Sequence, residues 1–266
     1  MFDSFNRKIH YLRISVTDRC NQRCEYCMPK NGVKKIRHED VLSFEEILRF
    51  TQKAVEMGID KVRLTGGEPL VRRDIITLVS MLSQIEGIKD FAMTTNGTLL
   101  DKFADALINA GLHRVNISLD TLTPARYSEI TKDGDIRCVL RGIEAAEKAG
   151  LAPIKINCVV QRSSDEEDAR QVAAFAKREG FDVRFIRRMN IEKGLFWQVE
   201  GGTGGDCERC NRLRLSSDGK LFPCLLSNLA FPIRELGVEE AIRQAVKVKP
   251  RTGLRSNHNG LSSIGG

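Results

Sequence analysis

Tyr11-Leu12-Arg13-Ile14-Ser15-Val16-Thr17-Asp18-Arg19-Cys20-Asn21-Gln22-Arg23-Cys24-Glu25-Tyr26-Cys27 runs from a short alternating stretch into three closely spaced cysteines. Alternation over Tyr11–Val16 reads as a strand, with Leu12, Ile14 and Val16 on one face and Arg13 and Ser15 on the other. The cysteines that follow, separated by three residues and then two, are too close for a disulfide framework, and no fourth lies nearby. Thiolates at this spacing suit an iron–sulfur cluster, each taking one iron. Three ligands on a four-iron cluster leave one iron open. Structural zinc usually takes four protein ligands in two close pairs, and Asn21, Gln22 and Arg23 are poor ligands, so the cluster is the preferred reading.

Working outward, the same short alternating runs recur, each before an amphipathic helical stretch. Strands are expected at Tyr11–Val16, Lys61–Thr65, Phe91–Thr95, Arg114–Leu119, Ile154–Val160 and Val183–Ile186, with helices over 44–58, 74–87, 100–110, 135–149 and 165–179. Ser43 with Glu46 and Ser164 with Glu167 read as capping boxes, and Gly58, Gly111, Gly150 and Gly180 stand where helices should stop. Such alternation implies a parallel sheet with helices outside. Six units fit a partial (βα)6 barrel over residues 1–190, with a doubly wound open sheet as the other arrangement. Past Met189 the pattern ends. Glycine-rich residues 191–206 form a link, and residues 207–266 a smaller C-terminal unit with one helix over Val238–Lys247.

Strand parity sorts the side chains. Val62 and Leu64 oppose Lys61, Arg63 and Thr65; Val115, Ile117 and Leu119 oppose Asn116, Ser118 and Asp120; Ile154, Ile156 and Cys158 oppose Lys155 and Asn157; Val183 and Phe185 oppose Arg184. The apolar face belongs under the helices, which leaves a polar, cationic interior. Burying several unpartnered cations is prohibitive, so the interior is expected to be a wet cavity that receives anions. The alternative is that individual cations cap strand ends in solvent or pair with Asp120 and Glu68.

The net charge of +7 calls for an anionic partner. Three tyrosines and one tryptophan make a poor base-stacking platform, which favours a polyphosphate ligand over nucleic acid. No apolar run reaches the roughly 18–20 residues of a membrane span, and the N-terminus does not read as a signal peptide. The eight cysteines are therefore read as cytoplasmic thiols. Cys207, Cys210 and Cys224 form a second metal site, for which spacing alone leaves a cluster and a zinc completed by His258 both open. Arg212 and Arg214 follow the pair and share a parity if extended, as bidentate phosphate recognition would use.

The order C-x-x-x-C-x-x-C with Tyr26 before the last cysteine resembles the radical S-adenosylmethionine (SAM) enzymes. In that family the open iron holds the amino and carboxylate groups of SAM, and one electron splits it into methionine and a 5′-deoxyadenosyl radical. Thr65-Gly66-Gly67-Glu68-Pro69 resembles the segment that contacts the SAM amino group, and Thr95-Asn96-Gly97 and Ser118 resemble further SAM-side contacts. With Phe5-x-Arg7, Tyr11–Cys20, Cys27-Met28-Pro29, Asn116-Ile117-Ser118-Leu119-Asp120, Lys155-Ile156-Asn157, Arg184-Phe185-Ile186, Cys207-x-x-Cys210-Asn211-Arg212-Leu213-Arg214-Leu215 and the terminal Gly265-Gly266, most of the chain is similar to the GTP 3′,8-cyclase family of molybdenum cofactor biosynthesis.

That resemblance implies two 4Fe-4S clusters facing each other, held by Cys20, Cys24 and Cys27 and by Cys207, Cys210 and Cys224. The second would hold the guanine of GTP; the radical would remove the ribose 3′ hydrogen, and the resulting carbon radical would attack C8. It maps triphosphate and ribose contacts onto Arg13, Lys61, Arg63, Lys155, Arg184, Arg212 and Arg214, with Arg212 and Arg214 also among the catalytic residues. It places Tyr26, Gly66, Gly67, Glu68, Thr95, Asn96, Ser118 and Met189 around SAM, and Gly265 and Gly266 on a tail reaching the active site. An electron donor, a downstream cyclic pyranopterin monophosphate synthase and a homodimer are the implied partners. The family carries a longer stretch before the second cysteine motif and more residues near the C-terminus, and has a carboxylate where this chain has Arg187. Two other functions remain: a radical SAM peptide-modifying enzyme with an auxiliary cluster, and a zinc-stabilised nucleic-acid binder.

Overall fold

Strand–helix alternation produces one nine-stranded sheet in the computed structural model, which describes residues 1–27 and 35–256. The strands are β1 (Tyr11–Ser15), β2 (Lys61–Thr65), β3 (Asp90–Thr95), β4 (Arg114–Ser118), β5 (Lys155–Val160), β6 (Asp182–Arg187), β7 (Arg212–Leu215), β8 (Lys220–Phe222) and β9 (Phe231–Pro232). Their spatial order is β6-β5-β4-β3-β2-β1-β7-β8-β9. The first six follow one another without reversal, all parallel. A doubly wound sheet would reverse direction at a switch point. These six strands have none, so every crossover turns the same way and the strands form a partial barrel.

The helices are α1 (Phe44–Glu56), α2 (Ile75–Ser83), α3 (Leu100–Asn109), α4 (Pro124–Thr131), α5 (Ile136–Lys148), α6 (Glu167–Arg178), α7 (Ile233–Leu236) and α8 (Val238–Lys247). One core joins strand and helix faces: Leu12, Ile14, Val62, Leu64, Val115, Ile117 and Ile156 are fully buried with Ile47, Phe50, Leu78, Leu82, Leu107, Val139 and Val172. Ser43 and Glu46 form the expected capping box at α1. The box expected at Ser164 and Glu167 does not form. α6 begins at Glu167 with Glu166 as its N-cap; the Glu166 carboxylate instead accepts the backbone N–H groups of Gln161, Arg162 and Ser163, and Ser164 donates to Glu200. α4, with Pro124 in its first turn, was not anticipated.

No named element forms in 191–206, yet that link is not free. Glu200 pairs antiparallel with Phe185, exchanging both backbone bonds (3.0 and 3.2 Å), so the link covers the outer edge of β6. The C-terminal part joins the same sheet. β7 pairs parallel with β1, β8 returns antiparallel beside β7, and α8 packs on α1. Arg7, 8% exposed, fastens the N-terminal segment to this region by donating to the carbonyls of Cys207, Pro250 and Arg251 while paired with Asp3. Met28, Pro29, His258, Gly265 and Gly266 lie outside the described residues.

Candidate active site

Parallel register lays the interior cations out in rows. Tyr11 on β1 stands between Lys61 on β2 and Arg212 on β7; one step along, Arg13 stands between Arg63 and Arg214. The parity expected for these residues is therefore realised, and β7 contributes the third column. Arg63 and Arg214 are 5% and 9% exposed. Burial, then Arg214, drives the Arg13 guanidinium well below its ordinary pKa; burial, then Arg212, brings Arg214 down to about 10. Cations that depress one another in this way form a site for an anion. Arg184 on β6 joins them, since its charge acts on Arg63.

The carboxylates that balance this bank are not Asp120 and Glu68, the partners of the alternative reading. Asp90, at the start of β3, accepts from Arg114 (3.0 and 2.8 Å) and pairs with Lys61 (2.6 Å); Asp182, at the start of β6, pairs with Lys155 (2.5 Å). Burial pushes the Asp90 carboxyl up, but the Arg114 and Lys61 bonds outweigh it and hold it at about 2. Arg114 and Asp90 were missed. Arg114 shares its parity with Asn116, to which it donates at 2.8 Å, and Asp90 was left outside its strand by one residue. Arg212 also donates to the Thr203 hydroxyl (2.7 Å), fastening the link to the cradle. Arg187 is stacked on Trp197, its guanidinium 3.8 Å from the ring centroid.

The first cysteine motif sits beyond the carboxyl ends of β1–β4. Gly67 N donates to Thr17 O and Glu68 N to Arg19 O, both at 2.8 Å, zipping the Gly-Gly segment to the chain that leads into Cys20. A Cβ at Gly66 would stand 2.4 Å from Thr17 O, and one at Gly67 2.2 Å from Arg19 O. The close approach these glycines permit is thus to the cysteine loop itself. Glu68 is fully buried, accepting from Leu70 N, Thr95 Oγ1 and Asn96 N (3.0, 2.8 and 2.7 Å); burial pushes it up to about 7 against those bonds. Asn96 Nδ2 lies 3.9 Å from Cys20 Sγ. Tyr26 donates to Asp120 (2.7 Å), and Arg188, beside the half-buried Met189, pairs with Glu25 at 3.2 Å. Ser118 closes β4 at the same mouth.

Burial, then the Asp120, Cys27 and Cys20 charges, raises Cys24 to about 12, and burial, then Cys20, raises Cys27 to about 11. Thiols raised this far keep their protons until a metal displaces them. Among the described residues no three His, Cys, Asp or Glu side chains converge on a single ion. A cluster asks less, because each sulfur takes its own iron. The donor set fits that group.

The second set lies at the other mouth. Cys210 ends two residues before β7, and antiparallel β8, with Phe222 opposite Arg214, returns Cys224 to the level of Arg212. Lys249, 3% exposed, donates to the carbonyls of Arg212 (2.7 Å) and Pro223 (2.5 Å). Burial raises the Cys210 thiol, but the Lys249 charge, the Arg212 backbone bond and the Arg212 charge outweigh it and bring it down. Cys207 opens the turn, its carbonyl taken by Arg7 and Cys210 N. Lys249 carries no motif, and sequence reading passed over it. Since β1 and β7 run parallel, the two sulfur sets stand at opposite ends of the five-residue β1, about 16 Å of strand at roughly 3.3 Å per residue, with the arginine rows between them.

The sequence profile of the radical SAM superfamily matches residues 14–176. A GTP 3′,8-cyclase of Alkaliphilus oremlandii is 39% identical over 320 aligned positions, covering all of both chains; against the 266 residues here, that leaves 54 positions with no residue in this chain. A second, from Alkaliphilus metalliredigens, is 43% identical over 86% of this chain and 84% of its own. Among solved structures, Streptococcus suis SuiB bound to S-adenosylmethionine aligns with TM-score 0.63 and 14% identity over 92% of this chain and 65% of its own. Native anSMEcpe with bound AdoMet gives 0.62 and 17% over 91% and 81%. At these identities the structures speak to fold alone.

Proposed function

We propose that this chain, which belongs to the radical SAM superfamily and within it to the GTP 3′,8-cyclase family, converts GTP to (8S)-3′,8-cyclo-7,8-dihydroguanosine 5′-triphosphate in the first step of molybdenum cofactor biosynthesis. The observation that carries this reading is the docking of β7 on β1, which places Arg212 and Arg214 beside Tyr11 and Arg13 and completes a cationic cradle between two cysteine sets. Cys20, Cys24 and Cys27 would hold one 4Fe-4S cluster and Cys207, Cys210 and Cys224 the other; when bound, these supply the electron that cleaves SAM and an open iron for the guanine.

The protein's own part is positional. Tyr26, Gly66, Gly67, Glu68, Thr95, Asn96, Ser118 and Met189 surround SAM at the first mouth. Arg13, Lys61, Arg63, Lys155, Arg184, Arg212 and Arg214 hold the triphosphate and ribose, and Gly265 and Gly266 act at the same centre. Guanidiniums that depress each other's basicity gain most from a polyanion, because its arrival removes their mutual repulsion. Pinning the triphosphate from two sides fixes the ribose toward the SAM mouth, the orientation a hydrogen abstraction requires. A low-potential electron donor, a cyclic pyranopterin monophosphate synthase downstream, a homodimer and a cytoplasmic setting complete the proposal. Among the described residues no helix is long and apolar enough to cross a membrane.

The test is anaerobic turnover of reconstituted protein with SAM, a reductant and GTP deuterated at the ribose 3′ position. Deuterium in the 5′-deoxyadenosine is the expected result. Deoxyadenosine formed without deuterium would mean that GTP is not the hydrogen donor.

A further inference from the structure

Tyr11 opens β1 and has no part in the roles assigned above. Its backbone register sets Lys61 on one side and Arg212 on the other. Its ring carries the Lys61 ammonium at 5.2 Å, the Arg63 guanidinium at 5.4 Å and the Arg212 guanidinium at 5.5 Å from the centroid. An aromatic face attracts each cation, so one ring holds together three groups that otherwise repel. The side chain is 4% exposed, and its hydroxyl has no hydrogen-bond partner among the described residues. A buried phenol ordinarily finds one. Burial pushes its pKa up, but the charges of Arg63, Arg13, Arg212 and Lys61 outweigh it and bring it down, which makes the O–H a better donor than an ordinary phenol.

We propose that Tyr11 is a polyphosphate-binding residue: its ring sets Lys61, Arg63 and Arg212 at their working positions, and its hydroxyl donates to a phosphate oxygen lying among them. The inference rests on the nucleotide triphosphate reading of the cradle and adds a neutral donor to a site otherwise made of cations. The cationic neighbours are donors only and offer no acceptor for the hydroxyl proton, which an anion does. The hydroxyl's unpartnered state is what a waiting ligand contact looks like.

The experiment measures binding of inorganic triphosphate, GTP and guanosine to reconstituted wild type, Tyr11→Phe and Tyr11→Leu by equilibrium dialysis. Tyr11→Phe is expected to weaken triphosphate and GTP about tenfold, a decade corresponding to about 1.4 kcal/mol, with guanosine unchanged. Tyr11→Leu is expected to weaken both about a hundredfold, because the cations lose their platform as well. Wild-type triphosphate affinity in Tyr11→Phe would overturn the inference alone, as would an equal loss for guanosine, which would make the role structural. A wild type that binds no triphosphate would overturn the nucleotide reading, and the inference with it.

Discussion

Replacing Asp90 by Asn separates what the cradle contributes to folding from what it contributes to binding. Asp90 receives two bonds from Arg114 and one from Lys61. Its carboxyl is held at about 2 against an ordinary 3.8. At about 1.4 kcal/mol per decade of proton affinity, and trimmed because the side chain is 27% exposed, those bonds stabilise the fold at neutral pH by about 2 kcal/mol. The sign follows from proton binding. Between pH 4 and 2 the unfolded chain takes up the Asp90 proton before the folded one does, so stability falls as pH falls through that window. Asp90→Asn should therefore lower the thermal midpoint at pH 7 by about 4–8 °C, given roughly 2–4 °C per kcal/mol for a chain of this size. The variant should also lack this group's share of the acid-side decline. Binding should move the other way. Removing one negative charge frees Lys61 and Arg114 toward the phosphates, so triphosphate should bind a few-fold tighter. An unchanged midpoint would refute the reasoning about folding, and weaker triphosphate binding would show that Asp90 orients Lys61 rather than competing with the ligand.

Further outcomes are open to direct measurement. Gly67→Ala drives a Cβ against the Arg19 carbonyl with no flexible side chain to yield, so iron incorporation should fall toward half of the wild-type amount; a full complement would show that the loop can shift. Lys249→Met removes the donor to the Arg212 and Pro223 carbonyls and the charge beside Cys210. It should cost iron at the second site while the first retains its own, and electron paramagnetic resonance would separate the two signals; equal retention at both sites would make Lys249 a packing residue only. Cys24→Ala should abolish SAM cleavage, whereas Cys224→Ala should spare much of it and lose GTP turnover; equal cleavage in Cys24→Ala and wild type would sink the assignment of the first cluster.

Six strands and their inward cations were legible in the sequence because a half-buried strand writes its two faces as alternation. Arg13, Lys61, Arg63, Lys155 and Arg184 were found this way, whereas Arg212 and Arg214 were singled out by the Arg-x-Arg run that follows Cys210. What alternation does not encode is which strand lies beside which. That Arg212 and Arg214 extend from the edge of β1 is a long-range pairing across some two hundred residues, settled by the backbone bonds of β7. Asp90 escaped because the apolar run starts at Phe91 and the pairing reaches one residue further back. Lys249 and Arg7 escaped for another reason. Each bonds mainly to main-chain carbonyls, and a carbonyl belongs to every residue alike. The Ser164 box failed because Glu166, two residues on, offered the same loop a better acceptor.

The parallel pairing of β7 with β1 bears on how such a chain can be shortened. A strand is seated by the bonds to its neighbour and by which face must be buried, so a slip of one residue would turn Arg212 and Arg214 to the opposite face of the sheet from Tyr11 and Arg13. The connection delivering that strand has only to reach. Its length is a tether, and closure entropy changes slowly with tether length. The spatial relation between the two sulfur sets is thus stored as an offset between two strands, a ruler graduated in residues, and positions can be lost from the connection while the ruler keeps its reading.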